Sequence, residues 1–268
     1  MQDMTFVCAD GGRLRYCTAG AGSPVVLIHG LGLDASMWEA QWPALQREFR
    51  AIRYDVRGFG ASTVPEAPYS HSDDLLGLLD SLEARPAHVI GLSFGGRLAL
   101  RFALDHPSAV KSLTLIDSAL EGHSWSGDWN KKMDSVLSAA RRGDSAGVQA
   151  AKQLWLAHDL FAPAQRNAKV AAALAAMVER YTAWHWWNAD PVRRSSVPTA
   201  KALATVRCPT LVLVGELDLP DFQAIARRLA AEIPRATLHI VAGAGHMANM
   251  EAPDAVNERL LAHLRACA

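Results

Sequence analysis

Three residues of this chain have the types and setting for acyl-transfer chemistry. Ser93 stands in Gly91-Leu92-Ser93-Phe94-Gly95, between the apolar run "HVIGL" and an amphipathic stretch. G-x-S-x-G between a strand and a helix is a nucleophile elbow, a sharp turn that exposes a serine hydroxyl above the carboxyl ends of a sheet. Serine is a weak nucleophile at neutral pH, so it needs a base, and the base needs an orienting acid. In this arrangement the partners follow in the order Ser, Asp/Glu, His. Asp218 comes just after the strand-like "TLVLVGE", and His246 lies in the glycine-rich loop of "LHIVAGAGHMANMEAP". His71, His88, His106, His158, His239 and His263 fit helix faces, helix ends or strand surfaces instead. Asp117, closing "LTLID", ranks second as the acid. Glu216 follows its strand too closely, and Asp221 suits the first turn of a helix begun at Pro220.

The oxyanion of such a reaction needs two N-H donors, and the glycine-rich His29-Gly30-Leu31-Gly32 supplies one. The backbone N-H groups of Leu31 and Phe94 are the expected pair. His29 reads as a structural residue bonded to nearby loop backbone, and Phe59 likewise as packing. In the aromatic patch "YTAWHWWNADP", Trp184 and Trp187 are three apart and share a face if that stretch is helical. With Met247 they are expected to wall an apolar acyl pocket; the competing reading is that these tryptophans only pack the segment onto the core. The chemistry requires no metal and no organic cofactor.

The elements that must position these residues alternate. "TFVCAD" and "RLRYCTA" flank two glycines and read as a hairpin, and "PVVLIHG" as a strand covered on both faces. Ser36-Met-Trp-Glu39 has the form of a capping box, which predicts a helix from Ser36 to about Phe49. Strand "RAIRYDV", helix "SHSDDLLGLLDSLEA", strand "PAHVIGL", helix "FGGRLALRFALDHP" and strand "VKSLTLID" follow. From Ala119 to Leu203 the pattern holds only helix-favouring stretches, after which a strand, a helix, a strand and a last helix from about Ala252 to Ala266 resume it. The expected fold class is α/β, a mostly parallel, doubly covered sheet. Residues 1–118 and 204–268 form its core, and residues 119–203 a helical cap over one edge.

Composition narrows the partners. The 268 residues are 50% hydrophobic and carry 27 basic and 27 acidic side chains. With no net charge and no basic stripe, neither nucleic acid nor a membrane surface is an expected partner; a small molecule is. The chain is expected to be a monomer or small homo-oligomer. "MQDMTFVCADGG" shows no secretory h-region, and Cys8, Cys17, Cys208 and Cys267 lack disulfide or metal spacing, so a cytoplasmic setting is expected.

Over nearly its whole length the chain resembles the α/β-hydrolase superfamily, through "HGLG" (29–32), "DVRGFGAS" (55–62), "GLSFGG" (91–96), "GELD" (215–218) and "GAGHMANMEAP" (243–253). Within it, the chain is similar to the cofactor-free carboxylesterases and lactonases, including the 3-oxoadipate enol-lactonase-like branch. The resemblance implies a cap after the sixth strand and hydrolysis of an ester or lactone through an acyl-enzyme. Epoxide hydrolases and haloalkane dehalogenases carry aspartate at the elbow, where this chain has Ser93. A thioesterase, a C-C bond hydrolase or a cofactor-free perhydrolase would use the same three residues, and a non-hydrolytic ligand receptor could keep them.

Overall fold

Continuous apolar runs become central strands because water is excluded from both of their faces. In the computed structural model, which describes residues 3–267, the strands are β1 (Met4–Val7), β2 (Arg13–Ala19), β3 (Pro24–Ile28), β4 (Arg50–Tyr54), β5 (Ala87–Leu92), β6 (Val110–Ile116), β7 (Thr210–Gly215) and β8 (Ala236–Val241). They form one sheet in the order β1-β2-β4-β3-β5-β6-β7-β8. β1 and β2 pair antiparallel, as do β2 and β4; every other pairing is parallel. All residues of β5 and β7 are buried, whereas the edge strands β1 and β8 alternate with exposed positions. Burying a side chain such as Leu27 or Ile90, both fully inaccessible, contributes roughly 1.5–3 kcal/mol.

The helices are α1 (Trp42–Leu45), α2 (His71–Ser81), α3 (Phe94–Asp105), α4 (Gly127–Ala140), α5 (Ser145–Leu156), α6 (Ala162–Gln165), α7 (Ala168–Arg180), α8 (Trp184–Trp187), α9 (Pro220–Glu232), α10 (Ala248–Glu251) and α11 (Pro253–Ala266). The helix expected from Ser36 to Phe49 does not form. Asp34 is the cap there, its carboxylate accepting the Ser36 N-H at 2.9 Å, and only one 3-10 turn, Ala35–Trp38, follows. Glu39, which a capping box would turn back toward Ser36, instead pairs with the buried Arg53 at 2.8 Å. That long-range ion pair, and Pro43 in the first turn of α1, divide the segment. The last helix forms where it is expected, as α11 from Pro253 to Ala266, with the short α10 before it and proline in its first turn.

Between β6 and β7 the described residues are helical or irregular; their one strand-like contact is a bridge from Val192 to Tyr69. Several polar clips fasten this insertion. Arg180 donates to Asp34 at 2.7 Å, and Asp221 at the start of α9 accepts from the Ser126 hydroxyl at 2.6 Å and contacts His123 Nε2 at 3.2 Å. Arg180 is half exposed, so its pair contributes at most about 1 kcal/mol. On the core side, Arg57 of "DVRGFGAS" is buried between Asp74 at 2.7 Å and Asp10 at 2.9 Å, which compensates its charge. No helix among the described residues is long and apolar enough to cross a membrane.

Candidate active site

Parallel strands deliver their following loops to one end of the sheet, so side chains just past β5, β6, β7 and β8 converge there. Ser93 follows β5 with φ +55° and ψ −113°, a region sparsely populated by residues with a Cβ; holding it there costs roughly 1–3 kcal/mol. The turn is pinned by Ser93 N-H to Ile116 O at 2.9 Å, and by Ser93 O accepting from Arg97 N-H at 3.0 Å and Ala119 N-H at 3.1 Å. Its two glycines are sterically required. A Cβ on Gly91 would stand 2.2 Å from Gly95 O, and one on Gly95 would stand 2.2 Å from Ile28 O. The same closeness brings the start of α3 against the loop after β3.

The loops after β7 and β8 bring Asp218 and His246 together. His246 Nδ1 lies 2.9 Å from Asp218 Oδ2, and both residues are buried. Asp218 Oδ1 accepts the Leu219 N-H at 2.7 Å, which fixes the carboxylate. A carboxylate only accepts, so Nδ1 carries the ring proton and Nε2 keeps the free lone pair of a base. Glu251, unremarked in the sequence, braces this loop: its two oxygens accept the N-H groups of Gly245 at 2.8 Å and Met247 at 2.9 Å, on either side of His246. Glu216 does the same for Gly243 at 2.8 Å.

Asp117 lies in the same cluster, its carboxylate within 4.8 Å of the polar atoms of Asp218 and His246. Yet its hydrogen bonds hold backbone: Oδ1 accepts the Gly215 N-H at 2.7 Å and Oδ2 the Ala248 N-H at 3.3 Å. It ties the end of β7 to the start of α10. Burial pushes both carboxyls up, and the Asp218 charge pushes Asp117 further. Asp117 is therefore the harder of the two to ionise.

The N-H groups of Leu31 and Phe94 have no backbone acceptor among the described residues. His29 accepts the Val56 N-H at Nε2 and so donates from Nδ1 to Gly30 O, both at 2.9 Å, which makes it a brace for this loop. Phe59 is buried, its ring 5.6 Å from that of Phe94 and 4.3 Å from that of His185. Met247 is fully buried beside His246. Of the two tryptophans expected to wall a pocket, Trp187 is 46% exposed and Trp184 is half-buried. Ala183 enters the short α8 in the left-handed region, at φ +60°, and Trp186 is the tryptophan of that helix buried as a result. Trp155 and Trp186 both pack on Gly32, and Phe222 places its ring 4.3 Å from that of His246. Periodicity does not distinguish these inward aromatics from their outward neighbours.

Burial pushes the His246 imidazole down to about 4, so it is neutral and able to accept a proton at pH 7. If it is the base, kcat/KM should stay level as pH falls from 7 to 5 and drop near pH 4; a pH-rate profile with its acid limb at 6.5 would contradict this. The same shift couples to stability. Only the unfolded chain takes up this proton between pH 6.5 and 4, so stability from this group is full above 6.5 and lost on acidification toward 4.

A family profile described as alpha/beta hydrolase fold matches residues 23–253. By sequence the chain is 28% identical to 3-oxoadipate enol-lactonase 1 of Acinetobacter baylyi over 233 residues, covering 86% of this chain and 84% of that protein. Among solved structures, a hydrolase from Pseudomonas aeruginosa PA01 is 30% identical and superposes with a TM-score of 0.80 over 98% of both chains. The enol-lactonase from Burkholderia xenovorans LB400 is 26% identical, with a TM-score of 0.78 over 98% of this chain and 100% of its own. With the elbow, the sheet order and these likenesses together, the chain belongs to the α/β-hydrolase family and is a hydrolase of that family.

Proposed function

We propose that this protein hydrolyses a small carboxylic ester or lactone through a serine acyl-enzyme. The observation that carries the reading is the buried 2.9 Å Asp218–His246 bond, formed at the same end of the sheet as the strained Ser93. Ser93 Oγ attacks the carbonyl carbon while His246 Nε2 takes its proton. Charge passes to the carbonyl oxygen, which the Leu31 and Phe94 N-H groups receive; one such donor contributes about 3 kcal/mol to the transition state. The tetrahedral intermediate collapses, the C–O bond breaks, and imidazolium returns the proton to the departing alkoxide as alcohol. Water, deprotonated by the same Nε2, then attacks the acyl carbon and releases the acid and Ser93. Asp218 keeps the imidazole in one tautomer and stabilises the imidazolium without taking its proton. The named enol-lactonases and hydrolase to which the chain is similar support this reading over a receptor.

The test is a substrate panel with covalent trapping. Short-chain p-nitrophenyl esters and one lactone should turn over, and phenylmethanesulfonyl fluoride should abolish turnover while adding its sulfonyl mass to the peptide containing Ser93. A folded protein with neither turnover nor adduct would overturn the reading. Turnover of a vinylogous diketone in place of every ester would move it to C-C bond hydrolysis on the same residues.

A further inference from the structure

Where the flank of α3 meets the first turn of α2 and the return segment of the insertion, residues 190–195, lies a cavity of about 90 Å³ into which four arginines converge. The protein itself satisfies two of them. Arg101 pairs with Asp105 at 2.6 Å and donates to Val197 O at 3.2 Å, and Arg193 pairs with Asp73 at 3.0 Å. Arg97 and Arg194 have no carboxylate within ion-pair distance among the described residues. Glu121 and Asp190 also line the cavity, but they are engaged with backbone: Glu121 Oε2 accepts the Thr199 N-H at 3.4 Å, and Asp190 Oδ1 accepts the Val192 N-H at 3.2 Å. With Asp105, three carboxylates thus stand against four guanidiniums, and the lining has an excess of positive charge.

Arg97 is the unusual member of this group. It stands one helical turn after Ser93, and its Cζ lies 4.9 Å from the centroid of the Phe94 ring. Burial lowers its pKa from the usual arginine range, and the charge of Arg194 lowers it further against the opposing pull of Glu121 and Asp190. Two like charges facing one cavity, one of them desolvated, destabilise the chain unless an anion compensates them. His71, also in the lining, has a buried Nδ1 with no hydrogen-bond partner, while its Nε2 contacts the Tyr69 hydroxyl at 3.2 Å. The cavity has room for roughly six water-sized groups, enough for a phosphate or a short carboxylate. Ser93, Leu31, Asp218 and His246 are absent from its lining. Its link to them is the Phe94 ring, which His71 meets edge-on at 5.8 Å.

We propose that Arg97 and Arg194, flanked by Arg101 and Arg193, form a binding site for a small oxyanion, a phosphate or carboxylate group, separate from the reacting end of the sheet. The guanidinium fork matches both groups in shape and charge. Arg97 belongs to the core and Arg194 to the return segment of the insertion, which the core already holds through the Val192 to Tyr69 bridge and the Arg193 N-H to Tyr69 O bond at 2.7 Å. An anion held by both arginines joins insertion to core and stabilises the folded chain. The site is independent of the ester or lactone reading, because its ligand is not the molecule being hydrolysed.

The experiment is a thermal-unfolding titration near neutral pH with sodium phosphate and with sodium succinate, each against sodium chloride at equal ionic strength. It uses wild type, Ser93→Ala, Arg97→Gln and Arg194→Gln. Wild type should gain about 3 °C in Tm, saturably, with at least one of the two anions. The anion that saturates at lower concentration identifies the group as phosphate or carboxylate. Ser93→Ala should respond as wild type does. In Arg97→Gln and in Arg194→Gln the half-saturating concentration should rise at least ~5-fold, because each loses a charge-assisted bond to the anion. Arg194 is exposed, so its variant carries the test even if Arg97→Gln does not fold. No gain over chloride in wild type, or an unchanged half-saturating concentration in either folded variant, would overturn the site. So would a response lost in Ser93→Ala, or an ester KM that rises in proportion to the anion, since both would place the anion at the reacting end.

Discussion

Ser93→Ala should lose at least ~10³ in kcat on every ester the wild type turns over, with its far-UV spectrum unchanged. In the proposed reaction the loss is large because the hydroxyl oxygen is the nucleophile; without it, substrate binding and the oxyanion donors act only on adventitious water. A second substitution at this position separates chemistry from strain. Ser93→Gly should be equally inactive and yet unfold at higher denaturant concentration, because glycine accepts φ +55° without the cost that alanine and serine both carry. If Ser93→Ala retains more than a tenth of wild-type kcat, another group is the nucleophile. If Ser93→Gly is less stable than Ser93→Ala, the elbow is not strained as its dihedrals imply.

Replacing the two neighbouring carboxyls should give opposite outcomes. Asp218→Asn puts an amide against His246 Nδ1; its NH2 can donate there, which moves the ring proton to Nε2 and removes the base. A loss of about 10⁴ in kcat is expected, the magnitude seen when a triad acid becomes an amide. Asp117→Asn should stay within about tenfold of wild type. A carboxyl and an amide have the same shape, so the introduced amide oxygen can still accept the Gly215 N-H at 2.7 Å, and what is lost is the longer bond at 3.3 Å from the Ala248 N-H. Asp117→Ala removes both bonds and leaves the Gly215 N-H buried and unpaired, so it should be the least stable of the three. Measuring kcat and denaturation midpoints for all three variants tests the assignment. Equal losses in Asp218→Asn and Asp117→Asn would mean that Asp117 carries negative charge during turnover.

Different physical signals made some of these features readable in the sequence and hid others. The strands β3, β5 and β7 could be placed because continuous burial demands continuous apolarity over a handful of residues. Ser93, Asp218 and His246 stand in short loops directly after strands, where the chain has no freedom to put a side chain elsewhere than at the end of the sheet. The Ser36 capping box failed for the opposite reason: a local pattern was overridden by Arg53, a partner 14 residues away that claims Glu39. Trp187 and Trp186 differ by one position, and an irregular entry through Ala183 decides which of them is buried.

The sequence by itself determined the order of elements, the strand-to-helix turn at Ser93 and the placing of Ser93, Asp218 and His246 just after strands. These depend on contacts within a few residues and on a binary choice between apolar and polar. Tertiary structure alone decided that Asp117 braces backbone beside the Asp218–His246 pair, that Glu251 brackets His246, and that the indole rings of Trp155 and Trp186 pack on Gly32. Those outcomes rest on hydrogen-bond vectors and close packing between segments far apart in the chain. A bond that requires about 3 Å and near-linear approach is set by packing, which no single stretch of chain encodes.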